Sequence, residues 1–114
     1  MNIRGPGRAL RICVGEADQW HGRPLYAAIV EQARAEGLAG ATVTRGIMGF
    51  GANSRIHTAS ILRLSEDLPV VIDLVDSHER IARFLELVEP MVSEGLVATW
   101  DVTIELYGAN RTDG

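Results

Sequence analysis

The chain has 114 residues, 46 % hydrophobic and 23 % charged, with a formal net charge of −4. That is apolar material for one compact core and too little length for two, so a single domain over 1–114 is expected, with 1–7 and 108–114 as flexible tails. All 11 basic residues are arginines spread along the sequence, which leaves no basic stripe to displace counterions and argues against nucleic acid as a partner.

One cysteine, Cys13, excludes an intrachain disulfide and a cysteine-rich metal framework, and suits a reducing cytoplasm. No apolar stretch follows Arg4 as a leader peptide needs, and no run approaches the roughly 18 apolar residues of a membrane span. A cytoplasmic protein that does not itself span a membrane is the expectation.

After the Gly5-Pro6-Gly7 breaker, Leu10, Ile12 and Val14 alternate with Arg11 and Cys13, which predicts a first strand over Arg8 to Val14. Gly15 to Gly22 is polar and turn-like. Pro24 suits the first turn of a helix, where its missing N–H is harmless. Leu25, Ala28, Ile29 and Ala33 recur at helical spacing, and Gly37 is placed to cap the end. Alternation returns from Ala41 to Met48, a second strand. Gly49-Phe50-Gly51 then opens a stretch through Ala59 without apolar period, read as a long exposed loop, with 61–64 as its returning edge.

Leu68 to Val75 is an apolar run that suits a buried central strand. Asp76 or Ser77 can cap the helix that follows, with Glu79 placed for a capping box, and Ile81, Phe84, Leu85, Val88, Met91 and Val92 form its stripe. Pro90 predicts a kink or an early end there, and Gly95 the termination. Leu96 to Tyr107 is the cleanest alternation in the chain and predicts the last strand. The order βαββαβ defines an α+β, ferredoxin-like fold: a four-stranded antiparallel sheet with two helices on one face. The other face would carry Cys13, Thr42, Thr44, Val71, Asp73 and Val75, apolar enough to call for cover by oligomerisation.

Few residues offer catalytic chemistry. There is no phosphate-binding P-loop pattern, and Gly46, Gly49 and Gly51 miss the dinucleotide fingerprint. Glycines at a strand end commonly serve a bulge or turn. His21, His57 and His78 include no i,i+4 pair, Cys13 is mid-strand, and the serines lack a partner base, so the chain reads as a non-enzyme without a metal site. Phe50, an aromatic flanked by glycines, must plug the core or face a partner. Arg45 and Arg55 are the arginines best placed to hold an anion, although an exposed ion pair is the commoner role.

The segment GLAGATVTRGIMGFG, followed by IHTA and LPVVIDLVD, resembles the domain-of-unknown-function 190 family of PII-like proteins. The same region resembles the PII signal proteins, in which a TVT strand leads through GFG into a mobile T-loop. The resemblance implies a homotrimer with sheets packed inward, adenine nucleotide as ligand in clefts between subunits, and a T-loop that engages a protein partner such as a membrane transporter or channel. No cofactor beyond that nucleotide is implied. By position it places the T-loop base at Gly49, Phe50 and Gly51, the loop through Asn53, Ser54, Arg55 and His57, and a threonine near the adenine at Thr42. The turn Glu94, Gly95, Leu96 and Val97 falls where PII proteins bind phosphate. Two departures leave the ligand open: this chain reads SEGLVATWDV where PII proteins have TGxxGDGK, and GFGAN where they have GFGRQ. A metal-binding trimer of the same fold, in the manner of the copper-tolerance proteins and using His57 with nearby carboxylates, and an enzyme with an intersubunit site are the alternatives.

Overall fold

The computed structural model describes residues 2–49, 57–58 and 68–108. Strand β1 (Asn2–Gly15) is followed by a small hairpin, β2 (Gln19–Trp20) and β3 (Arg23–Pro24), then helix α1 (Leu25–Ala35), β4 (Thr42–Arg45), β5 (Met48–Gly49), β6 (His57–Thr58), β7 (Pro69–Asp76), helix α2 (His78–Val88) and β8 (Leu96–Gly108). The main sheet has the order β4-β7-β1-β8 and is antiparallel throughout. With its two helices on one face this is the expected ferredoxin-like α+β arrangement.

Register decides which side chains meet the helices. Leu10, Ile12 and Val14 of β1 lie opposite Leu74, Ile72 and Val70 of β7, and all six are buried. Leu25, Ile29 and Ala33 of α1 and Ile81, Phe84 and Val88 of α2 complete the core. Both helices present these residues at i, i+3/i+4 and i+7/i+8 spacing, and burying each large apolar side chain stabilises the fold by about 1.5–3 kcal/mol.

Several boundaries differ from those the sequence suggests. β1 starts at Asn2, so residues 2–7 are strand where a tail was expected; they pair with the far end of β8, from Val102 to Gly108, with a register shift between Ile3 and Gly5. The polar Gly15–Gly22 stretch holds β2 and the turn of the β2–β3 hairpin, which puts His21 at φ 50° and Gly22 at φ 78°, the left-handed pair a two-residue turn requires. The predicted second strand is split, with β4 stopping at Arg45. Helix α2 ends at Val88 in a 3-10 turn over Glu89–Met91, because Pro90 has no N–H to continue the ladder. Its cap is Ser77, whose Oγ accepts the Arg80 N–H at 3.2 Å, so Glu79 falls one position short of a capping box. Gly95 introduces β8 rather than closing the helix.

The face away from the helices carries Arg11, Cys13, Val71, Asp73, Val75, Thr42 and Thr44, with Leu96, Ala98 and Trp100 paired beside them. Up to Trp100 the alternation of β8 therefore points its apolar set outward, whereas Ile104 further along is buried. Trp100 is 45 % exposed, Leu96 54 % and Leu106 53 %.

Candidate functional site

The root of the long loop is built where β4 runs out. Met48 pairs with Thr58 and Gly49 with His57, which closes the base of the loop as a two-strand ribbon. Beside it, the Gly46 N–H donates to the Pro69 carbonyl at 2.7 Å, and a Cβ on Gly46 would come within 2.7 Å of the Pro69 ring. Only glycine permits that approach, so the chain leaves the sheet at one defined place. Ile47 and Met48, at the root, are 78 % and 63 % exposed. Phe50, Gly51, Asn53, Ser54 and Arg55 lie outside the described residues, as does the side chain of His57.

Arg45, one of the two arginines singled out for anions, donates from Nη2 to Glu16 Oε1 at 2.8 Å. It ties the end of β4 to the turn after β1, where the Glu16 N–H meets the Leu68 carbonyl at 2.8 Å. Thr42 is exposed near the start of β4, on the face away from the helices.

The turn Glu94, Gly95, Leu96 and Val97 is packed against the end of β1. Gly95 has φ 144°, and a Cβ there would sit 2.3 Å from the Cys13 carbonyl oxygen. Leu96 is exposed and Val97 packs against the core. Leu96, Cys13, Val71 and Thr44 form one cross-strand row. The turn and the loop root are thus at the same end of the sheet but on opposite edges, three strand spacings of about 4.8 Å, or roughly 14 Å, apart. One chain does not bring the two halves of the expected site together.

The uncovered face holds a cluster that sequence reasoning did not assemble. Arg11 makes a two-pronged ion pair with Asp73, Nε to Oδ1 at 2.8 Å and Nη2 to Oδ2 at 3.2 Å, and its guanidinium lies 5.8 Å from the centre of the Trp100 ring. The Asp73 hydrogen bond raises the Arg11 pKa further. Burial pushes the Cys13 thiol up, against the opposing pull of Arg11, so it is held as the thiol. The sequence signal was the cross-strand placement of Arg11 and Asp73, legible only once register is known. At the other end of the molecule, an apolar groove of about 230 Å³ lined by Val30, Ala33, Leu38 and Ala41 adjoins the end of α1. Among the described residues, no group of three His, Cys, Asp or Glu side chains is arranged to hold a metal, and no helix is long and apolar enough to cross a membrane.

A four-stranded antiparallel sheet with two helices on one face is the fold that this chain shares with PII-like proteins of solved structure. The chain belongs to the DUF190 family, described as an uncharacterized ACR family, whose model matches residues 7–104. A UPF0166 protein of Aquifex aeolicus is 37 % identical over 97 residues, covering 85 % of this chain and 91 % of the relative. A UPF0166 protein of Methanocaldococcus jannaschii is 38 % identical over 95 residues, covering 82 % and 87 %. Among solved structures, CPII from Thiomonas intermedia K12, a nitrogen regulatory PII-like protein bound to ADP, AMP and bicarbonate, superposes with TM-score 0.67 at 18 % identity, over 87 % of this chain and 88 % of that one. CutA from Synechococcus elongatus superposes with TM-score 0.56 at 12 % identity, over 94 % and 85 %.

Proposed function

We propose that this chain is a cytoplasmic PII-like regulator: a homotrimer that senses a small molecule, in the first instance an adenine nucleotide, in clefts between its subunits, and acts through the 49–59 loop on a protein partner such as a membrane transporter or channel. The observation that carries this reading is the separation of the two half-sites. The loop root with Thr42 lies on the β4 edge and the Glu94–Val97 turn on the β8 edge, so a cleft using both needs two copies side by side. The apolar face beneath them supplies the surface for that packing, since Trp100, Leu96 and Val75 stand half exposed on it. The Arg11–Asp73 pair on the same face is neutral overall, which lowers the penalty of covering it. That CPII, of the same fold, binds ADP and AMP supports trying adenine nucleotides first.

Calorimetric titration with a nucleotide panel tests the sensor. Binding at physiological concentration with one site per chain is expected; no binding by any adenine nucleotide removes the reading's main support.

A metal-binding trimer of this fold that uses His57 with nearby carboxylates is the second reading, worth testing because a divalent ion tolerance protein has a similar fold. Metal titration of the parent against His57→Ala separates the two: a metal reading requires binding that the substitution abolishes. An enzyme with an intersubunit site is the remaining alternative, and a turnover screen that stays at background disposes of it.

A further inference from the structure

We propose that the groove at the C-terminal end of α1 is a binding site for a small carboxylic acid with a short apolar chain. The groove is complete within one chain and stands independently of the nucleotide reading above. Val30 and Ala33 of α1, with Leu38 and Ala41 of the α1–β4 connection, line about 230 Å³. At about 30 Å³ for each group of water's size, that is room for roughly seven such groups, a chain of about six carbons. The lining is fixed before any ligand arrives. The Leu38 N–H donates to the Ala33 carbonyl at 3.1 Å, and Ala39 is held from both sides, its N–H by Asp76 Oδ2 and its carbonyl by the Tyr107 hydroxyl, each at 2.8 Å. A preorganised wall reduces the ordering that binding costs. Gly40 also lines the groove, and a Cβ there would meet nothing within 4 Å, so the space beside it is open.

Charge selects the acid. Arg34 lines the same groove from the last turn of α1, where the helix carbonyls favour a cation. The acids of its own helix end are engaged elsewhere: Glu31 pairs with Arg23, and Glu36 accepts from Gln32 at 3.2 Å. Among the described residues no carboxylate lies within ion-pair distance of Arg34. Arg80 brings a second guanidinium to the adjoining turn, donating from Nη1 to the Gly37 carbonyl at 2.8 Å. An apolar groove beside one uncommitted guanidinium matches a hydrocarbon body with a single negative head, and the planar fork of arginine suits a carboxylate.

The test is titration of the full chain with butyrate, pentanoate, hexanoate and hexan-1-ol, followed by backbone amide chemical shifts. Hexanoate is expected to shift the Ala33, Leu38, Gly40 and Ala41 amides to saturation, with affinity rising by up to about four-fold for each methylene from butyrate. Arg34→Gln is expected to weaken hexanoate about two- to five-fold and to leave hexan-1-ol unchanged. Gly40→Leu, which places a side chain in the open space, is expected to abolish binding of both; Ala41→Leu serves as the filling variant if Gly40→Leu loses the parent's circular dichroism. Hexanoate that leaves these amides unshifted, that shifts the Trp100 face instead, or that binds Arg34→Gln or the filled variant as tightly as the parent overturns the proposal.

Discussion

Asp76 is fully buried, and its two oxygens are spent on backbone: Oδ2 accepts the Ala39 N–H at 2.8 Å and Oδ1 the Ser77 N–H at 2.7 Å. It therefore fastens the α1–β4 connection to the start of α2. Tyr107 helps from β8, its hydroxyl donating to the Ala39 carbonyl at 2.8 Å. Asp76→Ala strands two N–H groups and opens a small void, and is expected to lower unfolding free energy by about 2–4 kcal/mol, read from the denaturant midpoint. Gly95→Ala forces a side chain into both an unfavourable φ and the Cys13 carbonyl, and a loss of about 2 kcal/mol or more is expected in the same measurement. Asp101 accepts from His78 at 2.9 Å, and this hydrogen bond, with the nearby charge of His78, holds its carboxyl below the usual range. A carboxylate with a lowered folded pKa contributes stability that is complete above its ordinary value and is lost as pH falls through the lowered one. Asp101→Asn is accordingly expected to flatten the acid limb of the stability profile below about pH 3.9. Of these residues the sequence marked Asp76 as a candidate cap and Gly95, wrongly, as the end of the second helix; their partners, 37 positions away for Asp76, were invisible because only the folded chain brings them near.

At the scale of elements, α2 was the most legible. Its apolar stripe and the cap-bearing Asp76-Ser77 pair both precede a proline that limits its length. Ser77→Ala should cost about 1 kcal/mol of stability, whereas Glu79→Ala should cost little, because the cap geometry leaves Glu79 without a reciprocal role at the third position. Thermal unfolding of the two variants distinguishes them. The β2–β3 hairpin was missed although His21-Gly22 is a turn dipeptide of the kind that suits left-handed backbone: two-residue strands have too little alternation to register as a period. For β8 the alternation announced a two-faced strand. It did not say which face meets the helices, since a period of two is symmetric until a neighbour is assigned.

At the scale of the whole molecule that assignment has its largest consequence. Because the start of β8 points its apolar residues away from α1 and α2, the monomer leaves Trp100 and Leu96 on its surface, with Val75 of β7 on the same face. If they are covered by further copies, light scattering should return about three times the 12.4 kDa chain mass, and Leu96→Glu with Trp100→Glu should reduce it to a single chain without loss of helical circular dichroism. A parent chain that runs as a monomer removes every cleft between copies. The amino-acid sequence by itself determined the order of the main strands and helices and the core faces of both helices and the central strand, because these follow from local period and from glycine and proline chemistry. Only the tertiary structure decided that β1 begins at Asn2, that Arg11 is neutralised by Asp73 and Arg45 by Glu16, and that the loop root and the Glu94–Val97 turn share one end of the sheet on opposite edges. Those are facts of strand order and register, set by contacts between residues far apart in the chain, which no local pattern encodes.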